Sequence, residues 1–147
     1  MNTYAKGATL VLVHGAWADG SSWSQLVAPL KLEGLGVVCA PIPLTSLSDD
    51  IAAVGRVLNM LEGPALLVGH AYGGAPIAGV ADDKVKGLVY VAALAPAQGE
   101  TVAEVFYREK PHVKAPQLVP DNEGFVWMPE IGFANAFAQY NRKHSVI

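Results

Sequence analysis

Two short glycine-bearing segments hold the residues of this chain whose types and spacing suit chemistry: Gly69-His70-Ala71-Tyr72-Gly73-Gly74 and His14-Gly15-Ala16-Trp17. In the first, glycines flank a central residue at the spacing G-x-S-x-G, a turn that presents a nucleophilic serine between a strand and a helix. The glycines are needed because the chain turns so sharply that flanking side chains would collide, with the central residue held in a strained conformation. Ala71 stands where that serine would be. A methyl group cannot attack a carbonyl, so no acyl intermediate forms at this position. The second segment follows an apolar run, where a loop can aim a backbone N–H at the charge developing on a carbonyl oxygen. The candidate oxyanion donors are the amides of Ala16 and of Tyr72, the residue after the nucleophile position. Both survive loss of the hydroxyl.

Such a turn needs an apolar strand before it and a helix after it, and the sequence supplies both. Ala8 to Val13 is β-branched, apolar and without alternation, the pattern of a strand buried on both faces of a parallel sheet. Ser22 and Gln25 have capping-box spacing, and Trp23, Leu26, Val27 and Leu30 recur at helical spacing up to Gly34. Gly36 to Ala40 reads as a second strand stopped by Pro41 and Pro43, and a second helix is expected from about Ser48 to Glu62. Pro64 releases a third strand, Ala65 to Val68, before the glycine turn and a small-residue helix towards Ala81; Val85 to Ala93 is a fourth strand. Strands alternating with helices in this rhythm predict a parallel, doubly wound α/β sheet.

Beyond Pro96 the pattern changes. Glu100 to Tyr107 reads as a short helix, Leu118-Val119 pairs with Phe125 to Met128 around Pro120 to Gly124, and Pro129 opens a helical stretch through Ala138. The expected division is a core over residues 1–98, a cap-like segment of the same domain over 99–138, and an irregular tail over 139–147.

Hydrophobic residues make up 52% of the 147 positions and charged residues 16%, which suits one well-packed domain and excludes disorder. The net charge of -3 and the scattered Lys and Arg offer no stripe for a phosphate backbone, so nucleic acid is excluded as a partner. No apolar run approaches the roughly 20 residues needed to cross a bilayer, and no leader pattern opens the chain, so no membrane association and a cytoplasmic location are expected. The lone Cys39 lies in an apolar run and reads as an inert thiol. Isolated histidines and a single cysteine give no metal-ligand spacing. Asp49-Asp50 and Asp82-Asp83 read as helix-end and surface charge.

Together, His14-Gly15-Ala16-Trp17, Trp23 and Gly69-His70-Ala71-Tyr72-Gly73-Gly74 resemble the α/β-hydrolase superfamily, and within it the small carboxylesterases similar to methyl-salicylate esterases and hydroxynitrile lyases. The resemblance runs from about Thr9 to about Ala138. It implies a partial α/β-hydrolase fold, with a pocket for a small ester-like ligand between the sheet's C-terminal edge and the cap, and no cofactor or metal. His14, Gly15, Trp17 and His70 are the candidate substrate-binding residues. Trp17, beside the donor loop, is the foremost of the tryptophans. His14 either lines the pocket or holds the donor loop, and His70 reads more simply as a structural residue at a strand end. The superfamily orders its triad as serine, then acid, then histidine, on loops after later strands. His112 and His144 are the only histidines after the turn, and neither follows an apolar strand, so neither is expected to act as the base.

The expected function is that of a C-terminally truncated, esterase-type relative disabled at Ala71, a pseudoenzyme. The alternatives are a small-molecule binding or sensing module that uses the remnant pocket, and an esterase active only when a partner supplies acid and base. An open fourth strand is expected to be covered, by a homo-oligomer or by another chain.

Overall fold

The structure, a computed structural model, describes residues 7–113 and 115–137. The expected tail with His144, and Ala138 at the expected end of the last helix, lie outside the described residues. The chain divides into two compact units, one ending at Phe106 and the other beginning at Tyr107.

In the first unit the four apolar runs form strands β1 (Thr9–Val13), β2 (Gly36–Ala40), β3 (Ala65–His70) and β4 (Val85–Val91). They make one sheet in the order β2-β1-β3-β4, parallel at every pairing. Val13 lies opposite Ala40 on one side and Gly69 on the other. Helices α1 (Ser24–Leu32), α2 (Leu47–Asn59) and α3 (Gly74–Gly79) connect successive strands. Because side chains alternate across a strand, Val11, Val13 and Leu67 meet Ala53, Val54, Val57 and Leu58 of α2 and Ile77 of α3. Leu12 and Val68 face the other way, onto Trp23 and Val27. The central strands β1 and β3 are thus covered on both faces, the doubly wound arrangement.

This topology positions the site. The chain runs from β1 outward to β2, then crosses back to β3, so the direction of winding reverses between β1 and β3. Loops leaving the C-terminal ends of strands part at such a switch point and open a crevice there. The loops that leave these two strands are those beginning at His14 and at Ala71.

Local boundaries differ from expectation for identifiable reasons. Asp19, not Ser22, starts the first helical segment: its Oδ1 accepts the Ser21 amide at 2.8 Å and its carbonyl accepts the Ser22 hydroxyl at 2.8 Å. That early capping tightens Gly20–Trp23 into a 3-10 turn ahead of α1. The cap of α2 is Ser46, whose Oγ accepts the Asp49 amide at 3.1 Å. β4 stops at Val91 because Ala92 takes φ +44 and turns the chain out of the sheet. Leu88, Val89, Tyr90 and Val91 of this last strand are all 40% exposed or more. A short α4 spans Val102–Phe106.

The second unit is organised by Asp121. Its Oδ1 accepts the amides of Glu123 and Phe125 at 2.9 Å each, and its Oδ2 accepts the Trp127 indole N–H at 2.8 Å. The bond from Trp127 is the main reason its carboxyl sits below the usual range. The expected pairing here reduces to one antiparallel bridge, Pro120 with Val126. Helix α5 (Glu130–Gly132) and a π turn (Phe133–Phe137) follow.

Candidate active site

The turn after β3 has the geometry its glycines predict. His70 ends the strand in extended conformation, Ala71–Gly73 form a 3-10 turn, and α3 begins at Gly74. Ala71 lies at φ +50, in the left-handed region that L residues rarely occupy. A Cβ on Gly69 would stand 2.5 Å from the Gly73 carbonyl oxygen and 2.8 Å from the Gly74 nitrogen. One on Gly73 would strike the Val13 carbonyl oxygen and lie 2.7 Å from that of His14. One on Gly74 would strike the Leu94 carbonyl oxygen. The elbow is therefore crossed closely by the ends of β1 and of the segment after β4. The Leu94 amide also donates to the Ala71 carbonyl at 2.9 Å.

The two motif segments meet at the nucleophile position. A Cβ placed on Gly15 would be 3.0 Å from the Ala71 Cβ and 3.6 Å from Nδ1 of His70. His14 is 3% exposed, and its Nδ1 donates to the Gly15 carbonyl at 2.9 Å, since that oxygen can only accept. Half-buried Trp17 takes φ +57 in the same loop. His70 is half-buried and meets Trp23 edge-on, with ring centroids 6.2 Å apart and planes at 83°. Ala16 and Tyr72 are likewise half-buried. His112 belongs to the second unit. Among the described residues no three potential metal-ligating side chains cluster, and no helix is long and apolar enough to cross a membrane.

One residue of this region escaped the reading of the sequence. Asp50 is fully buried rather than a surface charge. Its Oδ2 accepts the Tyr72 hydroxyl at 2.6 Å and its Oδ1 accepts the Leu44 amide at 2.8 Å. Asp49 beside it is exposed and accepts from the hydroxyls of Ser46 and Thr45 at 2.8 and 2.9 Å. The signal was in the periodicity: the buried positions of α2 are Asp50, Ala53, Val54, Val57 and Leu58. That is one helical stripe, and Asp50 lies on it.

Burial first, then the Asp50 hydrogen bond and charge, push the Tyr72 phenol above its ordinary value of 10.0. The folded chain therefore keeps this proton to higher pH than the unfolded chain. Its stabilising contribution is complete below about pH 10 and is lost as pH rises from there through the folded value. The urea midpoint is expected to fall more steeply above pH 10 in the unsubstituted protein than in Tyr72→Phe; parallel pH profiles would contradict this.

A model of the alpha/beta hydrolase family matches residues 10–144. The chain belongs to the alpha/beta hydrolase family. This family member is 30% identical over 127 residues to the carbendazim hydrolyzing esterase of Nocardioides sp., covering 76% of this chain and 52% of that protein. It is 29% identical over 106 residues to the pyrethroid hydrolase of Sphingobium wenxiniae, covering 63% and 38% of the two. A crystal structure of a pyrethroid hydrolase in a serine-to-alanine form superimposes with TM-score 0.64 at 27% identity, over 80% of this chain and 54% of that one. An extracellular alpha/beta-hydrolase from a Paenibacillus species shares the fold at TM-score 0.61 and 24% identity, over 74% of this chain and 46% of that one. The chain spans about half the length of the relatives it matches, or less. The superfamily and the likeness to esterases expected from the motifs are both borne out.

Proposed function

We propose that this hydrolase-family chain binds small esters, or the acids derived from them, at an oxyanion cradle formed by the Ala16 and Tyr72 amides, and does not perform acyl transfer. The observation that carries this reading is Ala71 itself: it occupies the left-handed centre of the elbow at φ +50, yet offers only a methyl group there. The binding parts are retained while the attacking atom is missing. Gly15 lets the His14 loop come close to Ala71, since a Cβ there would lie 3.0 Å from the Ala71 Cβ, and half-buried Trp17 stands in the same loop. No cofactor is called for, since ester binding at backbone donors needs none.

Hydrolysis of 4-nitrophenyl acetate, with calorimetry using methyl benzoate and benzoate, tests the reading. No turnover above background is expected, and at least one aromatic probe should bind saturably and weaken in Gly15→Val. Ala71→Ser alone should not create turnover, because a serine needs a base within hydrogen-bond reach that a third group orients, and Nδ1 of His14 bonds the Gly15 carbonyl instead of a carboxylate. Turnover abolished by substitution at Ala16 or Trp17 would overturn the proposal. The exposed residues Leu88 to Val91 favour one alternative, in which a partner chain pairs with β4 and supplies acid and base. Turnover would then appear only when that partner chain is added to the purified protein.

A further inference from the structure

We propose that Asp50 is a positioning residue for the elbow, one carboxylate that fastens the Tyr72 side chain and the loop between β2 and α2 against the turn presenting Ala71. This rests on the reading of the Tyr72 amide as a ligand donor.

The geometry supports it on three counts. First, Asp50 binds groups from two different loops, Leu44 after β2 and Tyr72 after β3. These strands flank β1 on either side, so the carboxylate links the loops on both sides of the His14-to-Trp17 segment. Second, both loops are held in costly backbone conformations, with Leu44 at φ +59 and Ala71 at φ +50. Such conformations persist only where neighbouring contacts over-determine them. Third, Leu44 and Tyr72 pack their apolar parts against the same core cluster as α2. Tyr72 is thereby held by its ring on one side and by its hydroxyl on the other, which leaves its backbone little freedom. A carboxylate is costly to bury, and an apolar residue on that helical stripe would pack without the cost. What an apolar residue could not do is bind two loops at once. The 2.6 Å bond from the Tyr72 hydroxyl has the short length of a charge-assisted contact.

The test uses amide hydrogen exchange of the intact chain, resolved by residue, together with calorimetry of methyl benzoate. In Tyr72→Phe the amides of residues 71–74 should exchange faster by about tenfold, the scale of one charge-assisted hydrogen bond. Methyl benzoate should bind more weakly by about the same factor. Asp50→Asn should stay within about threefold of the unsubstituted protein, because its Oδ1 still accepts the Leu44 amide and its Nδ2 can donate to the Tyr72 oxygen. Val57→Ala, a core truncation on the same helix, lowers global stability without touching the node and should leave exchange at 71–74 slower than in Tyr72→Phe. Elbow exchange in Tyr72→Phe within about twofold of the unsubstituted protein, or equal acceleration in Val57→Ala, would overturn the proposal. If the unsubstituted protein binds no methyl benzoate, the ligand reading fails, and the exchange rates still decide the role of Asp50.

Discussion

Gly73→Ala is expected to lower the stability of this chain by about 3 kcal/mol or more, read as a shift of the urea midpoint at constant slope. The added carbon would strike the Val13 carbonyl oxygen and lie 2.7 Å from that of His14. The Val13 oxygen has little room to retreat, because Val13 is paired with β2 on one side and β3 on the other. Relief would require the elbow to lift from the end of β1, breaking the approach of Gly15 to Ala71. A useful contrast is Gly55→Ala in the middle of α2. A Cβ there meets nothing within 4 Å, and the helix should gain up to about 1 kcal/mol. Equal effects at the two glycines would show that the crossing of elbow and β1 is looser than its geometry.

The second large effect is expected at Asp50→Ala, about 3 kcal/mol by the same measurement. The change removes the fully buried carboxylate that two half-buried donors share, the Tyr72 hydroxyl and the Leu44 amide. An unmade hydrogen bond costs more than a made one contributes, because each donor has already lost its water. Alanine's better helix propensity offsets only a few tenths of this. Asp49→Ala, one residue earlier on the exposed side of α2, should cost clearly less, since the hydroxyls it releases turn to solvent. A loss at Asp50 no greater than that at Asp49 would contradict the assignment of Asp50 as the buried member of the pair.

The contrast between these neighbours shows where the sequence is legible. Both aspartates stand near a helix N-terminus, where negative charge is favourable whatever lies opposite, and on that ground they look alike. Only the stripe Asp50, Ala53, Val54, Val57, Leu58 separates them, and it identifies a buried face without naming the partner. The strands were easier. Runs such as Leu10 to Val13 and Leu66 to Val68 suit burial on both faces, and the structure places them in a parallel sheet. Helix starts were harder, because capping depends on which side chain reaches an amide first. Asp19 does so ahead of Ser22.

By itself the sequence determined that no hydroxyl stands at position 71, that glycines surround it, and that strands and helices alternate. These are properties of single residues and of short-range periodicity, and they hold wherever the segments come to rest. Tertiary structure decided the strand order β2-β1-β3-β4, and with it the meeting of Gly15 and Ala71 and the bond between Asp50 and Tyr72, 22 residues apart. Those contacts depend on the face each connecting helix covers and on where the winding reverses. Packing of the whole chain selects both, so Gly15 comes to rest against Ala71 only once β1 and β3 lie side by side.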